Sequence, residues 1–308
     1  MNYKARELRA KIAASFVLTK TGRRQVRDKI RFSGLIESVG KYDFPQESFS
    51  ERINVSFCFD GRGWGLAAVA IYSLLESAHE RCNYDIYLVV DDTVSADVRK
   101  KLMRIVKNTG STMTFLSANN DFDKSKTHNW PRAVYYRMML PRLLPKLDRI
   151  IYADIDTIFF RDLSELWRID MGNNLVAGVR ERGDGYINSG VLMMNLKQIR
   201  QDKIYEKWVK ISQQKDNANP DQDLLNDTAR GRIIYLPPKY NFQSMMGARI
   251  FRINTPREIY DLRHNLVVMH YSNWLKPWHA PENRPIFSEY WWTFARHLEQ
   301  KHAIKPNI

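Results

Sequence analysis

Cysteine is almost missing from this chain: among 308 residues there are only Cys58 and Cys82. They form no CxxC and have no nearby histidine at zinc spacing. Both sit in or beside apolar runs, so they read as small buried hydrophobes, as suits a reducing compartment. No apolar run is long enough to span a bilayer. The N-terminus is basic, but its longest apolar stretch, residues 12–18, contains Ser15 and leads into Thr-Lys-Thr-Gly-Arg-Arg. It lacks the apolar core and small-residue cleavage pattern of a signal peptide, so the cytoplasm is the expected location. There is no GxxxxGK[ST] phosphate loop, and no zinc-finger or RNA-binding signature. Acidic residues are in deficit: 34 stand against 48 Lys and Arg, for a net charge of +14. That balance favours polyanionic partners, whether nucleic acid, anionic lipid or phosphate-rich substrate, without choosing among them.

What is present falls into three parts: a basic N-terminal extension (1–50), a main domain (51–280) and an aromatic, basic C-terminal tail (281–308). With 44% hydrophobic residues the chain can bury a full core. Between residues 1 and 40 the only acids are Glu7, Asp28 and Glu37, against ten basic residues. Leu8, Ile12, Phe16 and Val17 recur there at helical spacing. Two readings stay open: a basic amphipathic helix touching an anionic membrane surface on its inner face, or a solvated helix packed on the main domain.

From residue 53 the pattern changes. Apolar, β-prone runs predict strands over 53–59, 84–90, 112–116, 149–153, 175–180, 190–196, 233–236 and 266–270. Amphipathic runs predict helices over 66–77, 96–108, 133–144, 199–213 and 223–228. Strands alternating with helices at these intervals indicate an α/β fold with a mostly parallel central sheet flanked by helices.

The chemistry gathers at strand ends. Asp154 and Asp156 follow the apolar run 149–153, and on an extended chain residues two apart share a face, with Ile155 turned into the core. The carboxyl end of a strand is where open α/β sheets bind ligands. Two neighbouring carboxylates repel unless a cation lies between them or one is protonated, so a hard divalent ion bridging them to diphosphate oxygens is an economical solution. A turn rich in Asp is the ordinary alternative. His270 ends another apolar run, and an imidazole beside two carboxylates suits Mn²⁺ better than Mg²⁺; a hydrogen-bonded structural histidine is the ordinary reading. Lys276, stiffened by Pro277 and flanked by Trp274 and Trp278, either lies in a surface turn or offsets negative charge on a diphosphate. In Pro-Asp-Gln-Asp, Asp221 or Asp223 caps a helix or holds sugar hydroxyls, with Gln222 facing the reacting carbon. Asn188-Ser189-Gly190 is a turn before a strand or a polar platform for a sugar.

Taken in order, these motifs carry a resemblance. A strand closing on Asp60 is followed by Tyr136-Arg137, Ile-Tyr-Ala-Asp-Ile-Asp, Tyr-Ile-Asn-Ser-Gly-Val-Leu-Met-Met-Asn-Leu, Pro-Asp-Gln-Asp-Leu-Leu-Asn and His-Tyr-Ser-Asn-Trp-Leu-Lys-Pro-Trp-His. The set resembles the family 8 glycosyltransferases, which include bacterial galactosyl- and glucosyltransferases of lipopolysaccharide cores and also glycogenin. The match runs from about residue 53 to 279. It implies a single-domain GT-A nucleotide-sugar-binding fold, a UDP-sugar donor, a saccharide or glycolipid acceptor, Mn²⁺ (with Mg²⁺ as the alternative ion) and retention of anomeric configuration. By resemblance Asp154, Asp156 and His270 are the metal ligands, Lys276 the diphosphate contact, Asp60 the nucleoside contact and Arg137 a donor-sugar contact. Asn188, Ser189 and Asp221 hold sugar hydroxyls, and Gln222 lies beneath the anomeric carbon. The sequence departs from the family at Asn273, where Gly is usual, and at Gly61-Arg62-Gly63 after the first Asp, with Trp64 displaced by one from the usual aromatic. A sugar-nucleotide-binding protein without transferase activity, a metal-dependent phosphotransferase or hydrolase, and a nucleic-acid binder are the competing classes. The missing phosphate loop and the ordered motifs weigh against the second of these, and the missing nucleic-acid signatures and the concentration of excess charge in the N-terminal segment weigh against the third, so no nucleic-acid partner is expected.

Overall fold

The computed structural model describes residues 51–308, except 79–81, 129, 245–249, 273, 282–283 and 286. The basic segment 1–50, its membrane or packing role, and Asn273 therefore lie outside the described residues. Among the described residues no helix is long and apolar enough to cross a membrane.

Strand β1 (Glu51–Phe59) pairs in parallel with β2 (Cys82–Val90) on one side and β4 (Ile150–Ala153) on the other. β3 (Thr112–Ser117) extends the sheet beyond β2. Past β4 come β7 (Ile187–Met194), β6 (Val176–Arg180) and β8 (Ile233–Leu236), giving the order β3-β2-β1-β4-β7-β6-β8. Only β7 is antiparallel to its neighbours, so the expected mostly parallel α/β sheet is present. Successive side chains alternate between two cores, as the pleat requires. Ile53, Val55, Phe57 and Phe59 enter one core, while Cys58, Ile150 and Tyr152 enter the other.

Helix α1 (Trp64–Glu76) is apolar nearly all round and is buried from Trp64 to Leu74 except at Leu66. A helix of that kind needs cover on both sides. The sheet supplies one side, and the C-terminal helix, Ser288–His302, supplies the other through Trp291 and Leu298, both fully buried. The aromatic tail is thus a packed helix, joined to α1 by the Tyr72–His302 edge contact and the Lys301–Glu76 ion pair.

Several elements differ from expectation for identifiable reasons. Residues 132–144 form a 3₁₀ helix, Arg132–Met139, followed by one α turn, Leu140–Leu143. Pro141 lacks an amide proton and fits only in that first turn. The threefold winding sets Val134 and Arg137 on one face. The single helix expected over 199–213 is two, Leu196–Gln201 and Ile204–Gln214, broken where Lys203 takes φ +54°. β7 starts three residues earlier than expected and stops at Met194, because Asn195 caps the next helix by accepting from the Gln198 amide. The helix expected from 223 begins at Pro220, the favoured first position for proline. A helix at Pro256–Asn265 was not read, although Thr255 and Glu258 form a capping box ahead of it.

A second, three-stranded sheet positions the site. β5 (Thr157–Phe159) pairs antiparallel with β10 (Val268–His270), and β9 (Phe242–Gln243) runs parallel to β10. The Asp154-Ile155-Asp156 triplet is the turn that links β4 of the large sheet to β5 of the small one.

Candidate active site

The chain leaves β1 toward β2 and β3, then returns to the other side of β1 as β4. That reversal opens a crevice at the carboxyl ends of β1 and β4, the general ligand position in open α/β sheets. A cavity of about 720 Å³ lies there. Its wall includes Asp60, Arg62, Trp130, Arg137, Asp154, Asp156, Lys276 and Trp278.

Asp154 and Asp156 converge, but not by strand alternation as expected, because β4 ends at Ala153. A turn does it. The Asp154 amide donates to Gly190 O at 2.8 Å, Thr157 Oγ1 donates to Asp154 O at 2.6 Å, and the Tyr271 amide donates to Asp156 O at 3.0 Å. Ile155 packs on the core, against Gly63, where a β-carbon would lie 2.6 Å from Ile155 Cδ1. His270 arrives from the small sheet, opposite Thr157.

Each carboxylate turns one oxygen to a cation and the other to the imidazole. Asp154 Oδ1 meets Arg137 Nη2 at 2.7 Å and the Tyr152 hydroxyl at 2.5 Å, while Oδ2 lies 3.5 Å from His270 Nε2. Asp156 Oδ2 meets Lys276 Nζ at 2.6 Å, while Oδ1 lies 3.2 Å from His270 Nε2. Burial opposes the charge on Asp156, but Lys276 and His270 outweigh it and hold the carboxyl well below the usual range.

Asp154, Asp156 and His270 each offer a ligand atom, all within 4.8 Å of one another. Adjacent ligands at about 2.1 Å from an octahedral ion stand about 3.0 Å apart. The 3.2 and 3.5 Å separations match that spacing with little adjustment, and two oxygens with one imidazole suit a first-row divalent ion. The donor set therefore fits a divalent cation.

Behind the cavity wall lies a buried polar layer. Because β7 runs antiparallel to β4, its first residues, Asn188, Ser189 and Gly190, arrive beside Asp154. Arg137 donates to Ser189 O at 2.8 Å and pairs with Asp221 at 3.2 Å, so one guanidinium spans Asp154 and Asp221. Its own pKa is raised: burial opposes the charge, but these two carboxylates outweigh it. Burial raises the Asp221 pKa, Arg137 offsets part of that, and the Asp154 charge adds to it. Ser189 Oγ donates to Asp221 at 3.1 Å. Gln222 Oε1 accepts from the Ser189 amide at 2.9 Å, and its Nε2 donates to Glu181 and Tyr186. Asp223 reaches back to the Asn219 amide at the helix start, so it serves the helix end while Asp221 faces the site.

The residues singled out in the sequence thus form one connected group in two layers. Asp60, Arg137, Asp154, Asp156 and Lys276 reach the cavity, whereas Asn188, Ser189, Asp221, Gln222 and His270 stand behind it. Asp60 is engaged by Arg62, whose Nη2 lies 2.7 Å from Oδ2, and that pairing lowers the Asp60 pKa against the effect of burial. Trp64 is buried at the start of α1, with Lys101 over its ring, and does not line the cavity. Tyr152, Glu181 and Asn241 were missed. Tyr152 was readable, standing in the apolar run that leads into Asp154, two residues before it. Glu181 and Asn241 lie in loops with no motif of their own.

Comparison with known proteins gives a family, similar relatives and similar folds. The sequence profile of Glycosyl transferase family 8 matches residues 54–282. A lipopolysaccharide 1,2-glucosyltransferase of Escherichia coli K12 is 27% identical over 276 residues, 79% of this chain and 78% of the relative. Among solved structures, the galactosyltransferase LgtC, crystallised with donor and acceptor sugar analogues, superposes with a TM-score of 0.67 at 23% identity, over 80% of this chain and 96% of that one. The apo bifunctional glycosyltransferase WbbM superposes with a TM-score of 0.68 at 20% identity, over 82% of this chain, which spans 50% of that larger protein.

Proposed function

The chain belongs to glycosyl transferase family 8, and from that premise we propose that it moves a hexose, glucose or galactose, from a UDP-sugar to a saccharide acceptor. The transfer depends on Mn²⁺, retains the anomeric configuration and serves cytoplasmic synthesis of cell-surface lipopolysaccharide or polysaccharide. The observation that carries the reading is the Asp154–Asp156–His270 cluster at the cavity wall, with Lys276 at its side. The sugar class rests on relatives named as a glucosyltransferase and a galactosyltransferase.

Asp154, Asp156 and His270 would hold a divalent cation, which would supply positive charge to the donor's diphosphate. Lys276 adds a second positive charge where negative charge grows as the sugar–phosphate bond breaks. Asp60 binds the nucleoside, for which Arg62 must first release it. Arg137 holds Asp221 and Ser189 in place, so that Asp221 and Asn188 present to the sugar a layer that is already assembled. The bond between the anomeric carbon and the phosphate oxygen breaks with its electron pair leaving on UDP. The acceptor oxygen bonds to that carbon on the face UDP leaves, and its proton passes to a departing phosphate oxygen. Gln222 is a neutral amide whose Oε1 already accepts from Ser189 and Asn188. That makes it a poor nucleophile and supports front-face attack over a covalent intermediate.

The test is a panel of UDP-sugars assayed for hydrolysis and transfer, with and without Mn²⁺, on the wild type and Asp154→Asn. Mn²⁺-dependent turnover of UDP-glucose or UDP-galactose, lost in the variant, is expected. Normal Mn²⁺-dependent transfer by Asp154→Asn would overturn the metal assignment, and binding without any turnover would favour a sugar-nucleotide-binding protein.

A further inference from the structure

We infer that Asn241 is a positioning residue that sets the tautomer of His270, at the end of a hydrogen-bond chain anchored on the backbone of Gly190. The inference rests on the metal reading above and adds a residue to it.

Hydrogen bonds identify every atom in the chain. The Gly190 amide can only donate, and it meets Asn188 Oδ1 at 2.9 Å, so that atom is oxygen. The other arm of Asn188 points at Glu181 Oε2 and Gln222 Oε1, each at 3.2 Å. Both are acceptors: Glu181 is a carboxylate, and Gln222 Oε1 takes the Ser189 amide proton at 2.9 Å. Asn188 therefore has one orientation. Asn241 meets the Asn188 oxygen at 2.9 Å and must offer its Nδ2 there. That leaves Asn241 Oδ1 facing His270 Nδ1 at 3.0 Å. An amide oxygen only accepts, so His270 carries a proton on Nδ1. In the neutral ring the lone pair is then on Nε2, the atom 3.2 and 3.5 Å from the two carboxylates.

Asn241 and His270 are almost wholly buried and Asn188 is 7% exposed, so water cannot stand in for a lost partner. Flipping the Asn241 amide would set donor against donor at His270 and oxygen against oxygen at Asn188. The other tautomer of His270 would point a proton at the place a cation takes. A metal-binding histidine commonly donates its second nitrogen to a carboxylate or carbonyl, and here a side-chain amide serves. Gly190 is the anchor at one end and makes room at the other, because its missing side chain leaves space for the His270 ring.

The experiment uses the full chain with nitrogen-15 histidine, stripped of metal, and reads the His270 tautomer from two-bond proton–nitrogen correlations. The signal is assigned by its loss in His270→Gln. Mn²⁺ affinity is measured separately by electron paramagnetic resonance of the free ion. The wild type is expected to carry the proton on Nδ1. Asn241→Leu removes the acceptor, so the proton is expected to redistribute to Nε2 and Mn²⁺ affinity to fall about 10–100-fold. Asn241→Asp still accepts from Nδ1, so it is expected to stay within about threefold of wild type on the same scale. A residue that merely filled space would predict the reverse order, since Asp sets an oxygen against Asn188 Oδ1. A wild-type His270 with no proton on Nδ1, which needs no variant to observe, would overturn the inference. So would unchanged Mn²⁺ affinity in folded Asn241→Leu. An Nδ1 proton in a wild type that binds no Mn²⁺ would uphold the chain and overturn the metal reading instead.

Discussion

Gly190 lies against the imidazole of His270, so closely that a β-carbon on it would stand 2.0 Å from Cε1 and 2.6 Å from Nδ1. The same carbon would come within 2.8 Å of Asp154 Oδ2. Two of the three candidate ligand residues therefore occupy the volume that any other residue at 190 would need.

Gly190→Ala must then displace His270, Asp154 or both. The expected outcome is a folded protein with Mn²⁺ affinity reduced about 10–100-fold, on the scale seen when the support of a metal ligand is disturbed. Titration with Mn²⁺ alongside thermal unfolding separates this from loss of the fold. Wild-type affinity in Gly190→Ala would mean that the cluster does not use this geometry.

Arg137 bridges Asp154 and Asp221 from a position where all three side chains are largely enclosed. Arg137→Ala takes the shared guanidinium from two carboxylates, and breaking a buried pair from one side costs about 3–5 kcal/mol. Urea unfolding of the apo protein measures it. Arg137→Lys keeps the charge but loses the fork that reaches both carboxylates, so an intermediate loss is expected. A midpoint unchanged in Arg137→Ala would contradict the pairing.

Burial pushes both thiols, Cys58 and Cys82, from 9.0 up to about 12. Native protein at pH 8 is therefore expected to resist an aromatic disulfide reagent, with two thiols titrating only after unfolding. The linkage has a definite sign. Unfolded thiols ionise near 9.0 and folded ones do not, so stability is full below that pH and declines as pH rises toward 12. Fast stoichiometric labelling of the native state would refute this.

Lys276 donates to Asp156 and to Tyr271 O, each at 2.6 Å, which fixes its ammonium at the cavity wall. If it offsets charge on the leaving diphosphate, Lys276→Ala lowers kcat about 10²–10³-fold, the usual loss for one such group. Mn²⁺ binding should not weaken, because the substitution removes a cation that competes for Asp156. Steady-state kinetics at saturating Mn²⁺ decides the matter, and a kcat within twofold of wild type would remove Lys276 from the mechanism.

Much of this protein was legible in the sequence because local patterns carried it. Apolar, β-prone runs located the seven strands of the large sheet, and the ordered motifs named every residue of the Asp154–Asp156–His270 cluster. The same patterns failed where winding or breaking depends on a neighbour. The 3₁₀ helix Arg132–Met139, which aims Arg137 at two carboxylates, reads in sequence as an ordinary helix. The break at Lys203 has no glycine to announce it. The short strands Thr157–Phe159 and Phe242–Gln243 are too brief to show a period at all.

Sequence alone determined most of the chemical groups gathered there: four carboxylates, an imidazole, an ammonium, a guanidinium, a hydroxyl and two amides. It did so because strand ends and short motifs are local features. Only the tertiary structure decided how those groups are shared. It placed Asp60, Arg137 and Lys276 at the cavity, and Gln222, Asp221 and Asn188 behind its wall. It also joined Asn241 to His270 across 29 positions of sequence. The reason is that hydrogen bonds between buried side chains depend on which strands are neighbours and in which direction they run. β7 reverses against β4, and a second sheet carries His270 in from the far end of the chain. Neither relation leaves a local trace in the order of residues.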